Sequence, residues 1–257
     1  MISTNDLVQY LDDVLDTAAV PDYPNAVNGL QLANRGRVTS IAASVDFSTK
    51  AVESAIEARA DLLIVHHGMF WSGARPIVGP AYDRIQSLLE HDIAVYSSHL
   101  PLDRHPQFGN NMLLSEELGL SASGEFASFK GRSIGVRGES DIATSEIVRR
   151  CRAFAEAHGG VAIATPVDEA RRTSRWAICT GAGASAETLQ EAVATGIDTL
   201  IVGEGPHWTA VEAADIGLTI IYAGHYATET LGVAALGRHL ADRFGLPLTI
   251  VSAPTGL

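Results

Sequence analysis

One pattern occurs twice in this chain and constrains its fold more than any other feature. Ala58-Arg59-Ala60-Asp61-Leu62-Leu63-Ile64-Val65-His66-His67 is matched by Ala194-Thr195-Gly196-Ile197-Asp198-Thr199-Leu200-Ile201-Val202-Gly203-Glu204. Each copy reads as a helix end, an Asp, an aliphatic strand and then polar groups at the strand's carboxyl end. A second correspondence follows each copy: Ala94-Val95-Tyr96-Ser97-Ser98-His99 with Asp103, and Ile220-Ile221-Tyr222-Ala223-Gly224-His225 with Glu229. Both place a carboxylate four residues after a His. Two matches in the same order point to an internal duplication. The first pair is spaced 11 residues wider than the second, which puts an extra loop in Gly68 to Pro80.

The rest of the chain fits that frame. Ser3 or Thr4 can cap a first helix carrying Leu7, Val8, Leu11, Val14 and Leu15 at helical spacing. Ile41 to Val45 and Leu62 to Val65 read as short buried strands, Ser48 to Ala60 as a helix, and the turn-rich Pro21 to Asn34 as a loop. Within the less patterned Ser121 to Arg175, Gly131 to Val136 and Val161 to Ala164 read as strands and Thr144 to His158 as a helix. Strands alternating with helices predict an α/β protein with a largely parallel sheet. The expected architecture is a single unit over 1–257, made of two similar α/β lobes, lobe A about 1–124 and lobe B about 125–257.

Composition narrows the functional classes. With 46% hydrophobic and 19% charged residues the chain is globular and not disordered. Thirty acidic residues against 18 basic ones give a formal charge of −12, which repels phosphate backbones and argues against nucleic acid as a partner. Lys50 and Lys130 are the only lysines, so anion contacts would fall to Arg. Cys151 and Cys179 are too few for a disulfide framework and lie in helix and strand interiors, so both are expected buried and inert. Aliphatic runs are strand-sized and the start lacks a secretory pattern; no membrane and a cytoplasmic location are expected.

Ligands of open α/β sheets gather beyond the carboxyl ends of the strands, and there this chain carries His66, His67, His99, Glu204 and His225. These tips converge if the strands share a sheet edge or face one another across the two lobes, so a metal site between the lobes is expected. His66 and His67 point to opposite faces on a continuing strand, but a turn at Gly68 can aim both imidazoles into one cavity; the alternative is a pair of satisfied core histidines. His225-Tyr-Ala-Thr-Glu229 puts an imidazole and a carboxylate on one face of a helix start, with Cβ atoms roughly 6 Å apart. The alternative there is a carboxylate favoured by the helix dipole. His99-Leu-Pro-Leu-Asp103 has the same spacing but contains Pro101, so it reads as non-helical, with Asp103 as ligand and His99 as a supporting donor. Three imidazoles and two carboxylates suit two divalent ions, Zn, Fe, Mn or Co. Gly181-Ala-Gly183 reads as a tight strand-to-helix turn, and no phosphate-loop lysine motif occurs.

Together, His66-His67-Gly68-Met69-Phe70-Trp71, His99 to Asn111, Asn28-Gly29-Leu30-Gln31 and Gly224-His225-Tyr-Ala-Thr-Glu229 resemble the Nif-three-like dinuclear metal-centre proteins, over Leu7 to Val251. Members go by the name GTP cyclohydrolase type I, second kind, homologues. By position the resemblance implies His66, His67, Asp103, His225 and Glu229 as ligands to two metal ions per chain. It also implies a homohexamer and a small-molecule substrate such as GTP, with metal-activated water opening the guanine imidazole ring and formate released. Glu204 and His99 are the candidate proton carriers; Arg104, Arg35 and Arg132 are candidates for a triphosphate. The competing expectation is a metal-binding scaffold or regulatory protein without catalysis.

Overall fold

The computed structural model describes all 257 residues. In chain order the first elements are β1 (Ile2–Ser3), α1 (Thr4–Leu15), β2 (Gly29–Leu32), β3 (Arg37–Val38), β4 (Ile41–Asp46), α2 (Thr49–Glu57), β5 (Leu62–His67), α3 (Pro80–Glu90), β6 (Ala94–Ser97) and α4 (Leu100–Asp103). Then come α5 (Asn110–Glu117), β7 (Ala122–Phe129), β8 (Arg132–Ala143), α6 (Thr144–Ala157), β9 (Ile163–Ala164), β10 (Arg172–Cys179), α7 (Ala186–Thr195), β11 (Thr199–Val202), α8 (His207–Asp215) and β12 (Thr219–Tyr222). The chain closes with α9 (His225–Phe244) and β13 (Leu248–Ile250). No helix is long and apolar enough to cross a membrane.

Packing divides the chain into two compact units: Met1–Leu102 with Gly232–Ala253, and Asp103–Leu231 with Pro254–Leu257. These bounds differ from a single cut near residue 124. The C-terminal segment returns to the first unit, where β13 pairs in parallel with β4, Leu248 opposite Ile41. Such a long-range pairing leaves no local trace in the sequence.

The first unit holds a five-stranded sheet in the order β13-β4-β5-β6-β2. Its first four strands are parallel, and β2 joins antiparallel to β6. β2 lies inside the stretch expected to be a loop; its Gly-Leu-Gln-Leu run is too short and too flanked by turn residues to announce a strand. Every residue of β5 is buried, as a parallel strand covered on both faces requires. Its apolar cluster includes Val52, Leu63, Val65, Leu88 and Val95. Ser3 caps α1 by accepting from Asp6 N, and Leu7, Leu11 and Leu15 are buried at i, i+4 and i+8. Ser48 does the same for α2 through Ala51 N at 3.1 Å; each such cap contributes about 1 kcal/mol.

The second unit holds a six-stranded sheet in the order β7-β8-β10-β11-β12-β9. Only β10, β11 and β12 run parallel; β7, β8 and β9 are antiparallel to their neighbours. The sheet is thus mixed, not largely parallel, because the stretch after residue 121 forms a hairpin of β7 and β8 rather than another βα unit. Side-chain alternation builds two cores. Trp176, Ile178, Ile201 and Ile221 pack with Leu114, Ile147 and Phe154 on one face. Ala177, Cys179, Leu200, Val202 and Ile220 pack with Leu189 and Ala213 on the other.

The repeated Asp does the same job in each unit. Asp61 Oδ2 accepts from Thr39 N (2.6 Å) and Ser40 N (3.2 Å), at the entry to β4. Asp198 Oδ2 accepts from Ser174 N and Arg175 N, both at 2.9 Å, in β10. The backbone around them also agrees: Asp61 N donates to Ser40 O and its carbonyl accepts from Ala94 N, as Asp198 N donates to Arg175 O and its carbonyl accepts from Thr219 N.

Candidate metal centre

In the first unit the parallel register of β4 and β5 sets His67 opposite Asp46. His67 Nδ1 donates to Asp46 Oδ1 at 2.9 Å. Its neighbour His66 donates Nδ1–H to the Ser98 carbonyl at 2.8 Å, while the His66 carbonyl accepts from Ser97 Oγ at 3.1 Å. Both histidines therefore still belong to the strand, which runs past the expected end at Val65. His99 follows β6 and donates Nδ1–H to Asp22 Oδ1 at 2.9 Å. Asp22 also accepts from Asn28 Nδ2 (2.8 Å) and Leu100 N (2.9 Å). Burial alone would raise the Asp22 pKa; His99, Asn28 and the Tyr23 amide outweigh it and hold the carboxyl below its ordinary value.

The three rings converge. His66 lies 4.9 Å from both His67 and His99, centroid to centroid, and His67 lies 5.6 Å from His99. One nitrogen from each falls within 4.8 Å of the others. A carbonyl or carboxylate at Nδ1 can only accept, so Nδ1 carries the proton in the neutral ring and Nε2 carries the lone pair. Gln31 secures the turn beyond His67: its Oε1 accepts from Met69 N at 2.6 Å and its Nε2 donates to Ala26 O and Val27 O. A Cβ at position 68 would collide with the Gln31 amide, so Gly is required there.

In the second unit β12 ends at Tyr222 and the chain turns through Gly224 (φ +90°) into α9. His225 and Glu229 share one face of its first turn, with Nε2 and Oε2 3.2 Å apart. His225 Nδ1 donates to Glu204 Oε1 at 2.7 Å, just beyond β11. Burial disfavours charge on His225, but the carboxylates of Glu229 and Glu204 prevail and push its pKa up to about 9. Asp103 is the last residue of α4, a single helical turn despite Pro101, which sits early enough in the turn to forgo its N–H. Asn110 Nδ2 donates to Asp103 Oδ1 at 2.8 Å, and Thr180 Oγ1 approaches it at 3.4 Å. Oxygens of Asp103 and Glu229 lie within 4.8 Å of each other. Gly181 (φ +62°) passes so close that a Cβ there would overlap Glu229 Oε1.

The structure thus gathers His66, His67 and His99 in one unit and Asp103, His225 and Glu229 in the other. Glu204 sits behind His225. Of the arginines singled out for a triphosphate, Arg35 is 90% exposed and only loosely paired with Asp92, and Arg104 donates to the Ser133 carbonyl. Asp22, Asp46 and Thr180 were missed in the sequence, because each acts on a residue distant along the chain; Asn110 and Gly181 lie in stretches singled out there, but without these roles. The donors are imidazole nitrogens and carboxylate oxygens, a set that suits divalent first-row cations. Neither cysteine belongs to these clusters; burial, then Asp103, Glu191 and Glu229, push Cys179 up to about 12, and burial likewise pushes Cys151 up to about 12.

Known proteins match this chain along its whole length. The profile of the Duf34/NIF3 (NGG1p interacting factor 3) family matches residues 2–255. A Deinococcus radiodurans protein named GTP cyclohydrolase 1 type 2 homolog is 36% identical over 100% of this chain and 95% of its own. The structure of protein ybgI, of unknown function, is 33% identical with a TM-score of 0.88, and covers 100% of both chains. TTHA1606 from Thermus thermophilus is also 33% identical, with a TM-score of 0.82 and 100% of both chains covered. The chain belongs to the Duf34/NIF3 family.

Proposed function

We propose that this Duf34/NIF3 protein is a metal-dependent hydrolase. His66, His67, Asp103, His225 and Glu229 would hold two divalent cations per chain, with His99 beside them as a further nitrogen donor. The substrate would be a purine nucleotide or a related small molecule. One observation carries the reading: His66, His67, His99 and His225 each have an acceptor at Nδ1. That is the arrangement by which proteins orient Nε2 toward a cation and raise its basicity. The name of the relatives, GTP cyclohydrolase 1 type 2 homolog, supports GTP as the candidate substrate; hydrolytic opening of the purine ring with release of formate is the reaction that the resemblance implies.

When bound, two such cations supply Lewis acidity, polarising a substrate oxygen and acidifying water near neutral pH. The chain's own residues do the rest. Asp46, Asp22 and the Ser98 carbonyl hold three imidazoles in orientation. Glu204, whose side chain is 46% exposed, holds the fourth by accepting from His225 Nδ1, and its carboxylate would carry protons between the site and solvent. The absence of a side chain at Gly181 leaves the Glu229 carboxylate its place. The matched Asp61 and Asp198 bonding supports descent of the two units from one duplicated ancestor. A homohexamer in the cytoplasm belongs to the same proposal.

A scaffold role has one observation in its favour: His66, Asp103 and Glu229 are 0%, 6% and 2% exposed, and ligands so buried can saturate an ion and leave it closed to substrate. Protein loaded with Mn²⁺ or Zn²⁺ should release formate from GTP and lose that activity, with its metal, on His225→Ala. Formate no higher than in a metal-stripped control, with metal fully bound, would favour the scaffold.

A further inference from the structure

Two loops of the first unit each bring an aromatic ring to the imidazole cluster. Trp71 lies 4.6 Å from the His67 ring and 4.5 Å from the His99 ring, centroid to centroid. Tyr23 lies 6.0 Å from His99 and 6.4 Å from Trp71, with the Tyr and Trp planes 82° apart. The two rings are the walls of a right-angled corner beside the imidazoles.

Neither ring hangs on loose chain. Tyr23 N donates to Asp22 Oδ1 at 2.6 Å, and the Tyr23 carbonyl accepts from Ala26 N at 3.0 Å. The same Asp22 carboxylate is fastened to His99 and Leu100 N. Trp71 N donates to the Gly68 carbonyl, and Met69 N is tied to Gln31. Yet Tyr23 is 50% exposed. A large ring fixed half in water, on backbone already bonded to the carboxylate that supports His99, gains further hydrophobic and stacking energy when a flat group covers its exposed part. Being held in place beforehand, it loses little conformational freedom on doing so. The carboxylates nearby, Asp22 and Asp46, are each hydrogen-bonded to an imidazole, and two bound dications would outweigh them, so it is the two ring faces and not the local charge that select a planar group here.

We infer that Tyr23 and Trp71 form a stacking corner that takes the planar heterocycle of the substrate. Lying on Tyr23, such a ring meets Trp71 with its edge and faces the imidazoles with another. Recognition at this point is of the base and not of the phosphate. The inference rests on the metal-centre reading above and specifies its substrate class.

The test uses full-length Zn²⁺-loaded protein, with guanosine, adenosine and ribose 5-phosphate as probes, read by calorimetry and by tryptophan fluorescence. The nucleosides should bind and ribose 5-phosphate should bind far more weakly. Tyr23→Ala should weaken nucleoside binding about ten- to hundredfold, the range expected for loss of one base–aromatic stack. Tyr23→Phe should restore it, and both variants should keep wild-type metal content. Trp71→Leu should weaken binding and abolish most of the fluorescence response. Nucleosides binding no better than ribose 5-phosphate would overturn the inference, as would unchanged affinity in Tyr23→Ala. Joint loss of metal and nucleoside in Tyr23→Ala would also overturn it, by making the ring a prop for Asp22 and His99. If the wild-type protein takes up no metal, the metal-centre reading fails by itself, and nucleoside binding with and without the Tyr23 ring still decides the corner.

Discussion

Replacing Gly181 by Ala tests whether the carboxylate of Glu229 is where a metal needs it. Gly181 has φ +62°, and a Cβ built there overlaps Glu229 Oε1 and comes within 3.4 Å of His225 Nε2. The left-handed backbone alone costs an alanine about 1–2 kcal/mol of stability. The overlap does something different. To restore van der Waals contact the carboxylate must withdraw by roughly 1 Å, whereas ligand distances tolerate only about 0.2 Å. Metal affinity should therefore fall by at least the ~10–100-fold typical of a disturbed support. Gly217 is the control: it has φ +70° and nothing within 4 Å of its would-be Cβ. Gly217→Ala should lose about the same 1–2 kcal/mol and keep its metal affinity. Urea unfolding of the metal-free proteins measures the first quantity, and competition for Zn²⁺ against a chromophoric chelator measures the second. Wild-type affinity in Gly181→Ala, or an equal loss in Gly217→Ala, would refute the reasoning.

Other outcomes follow from the same geometry. Asp22→Asn and Asp46→Asn should each weaken metal binding about 10–100-fold while leaving the fold intact; unaltered chelator competition would show that neither carboxylate orients its imidazole. In the metal-free protein the His225 pKa is raised from 6.5 to about 9. A folded value above the unfolded one stabilises fully below about pH 6.5, and this contribution disappears as pH rises through about 9. Glu204→Gln should lower the imidazole's NMR titration midpoint, and a midpoint left in place would deny Glu204 its part. Because a cation must displace that proton, metal affinity should increase with pH up to about 9, and a flat profile in the chelator assay would contradict this. Both cysteines are buried, with thiols pushed up to about 12, so a thiol reagent should label neither until denaturant is added; rapid labelling of the native protein would disprove their burial.

What could be read from the sequence was whatever is local. Leu62 to Val65 and Thr199 to Val202 are aliphatic runs with their own punctuation, and the His or Glu at their tips is conspicuous because so few residue types bind cations. The i, i+4 spacing of His225 and Glu229 likewise needs only a helix. The carboxylates that support His67 and His99 were invisible for the opposite reason. Asp22 sits in a turn-rich loop 77 residues from His99, and Asp46 sits 21 residues from His67; nothing short of the fold brings them together. The His pair was assigned to a turn because alternation sends neighbours to opposite faces, yet both rings reach one cluster from within β5. Pro101 argued against a helix, but a single turn has no interior for proline to break. The antiparallel additions, β2 and the β7–β8 hairpin, lacked the helix between strands on which the α/β reading relied.

The pairing of β13 with β4 has a consequence for how the chain is made. Leu248 meets Ile41 only after about two hundred further residues have left the ribosome, a delay of roughly 10–40 s at ordinary synthesis rates. Until then one edge of β4 stays open, an adhesive border on a nascent polypeptide. The N-terminal half is begun first but finished late, and a chain cut short before Leu248 would leave it permanently unsealed.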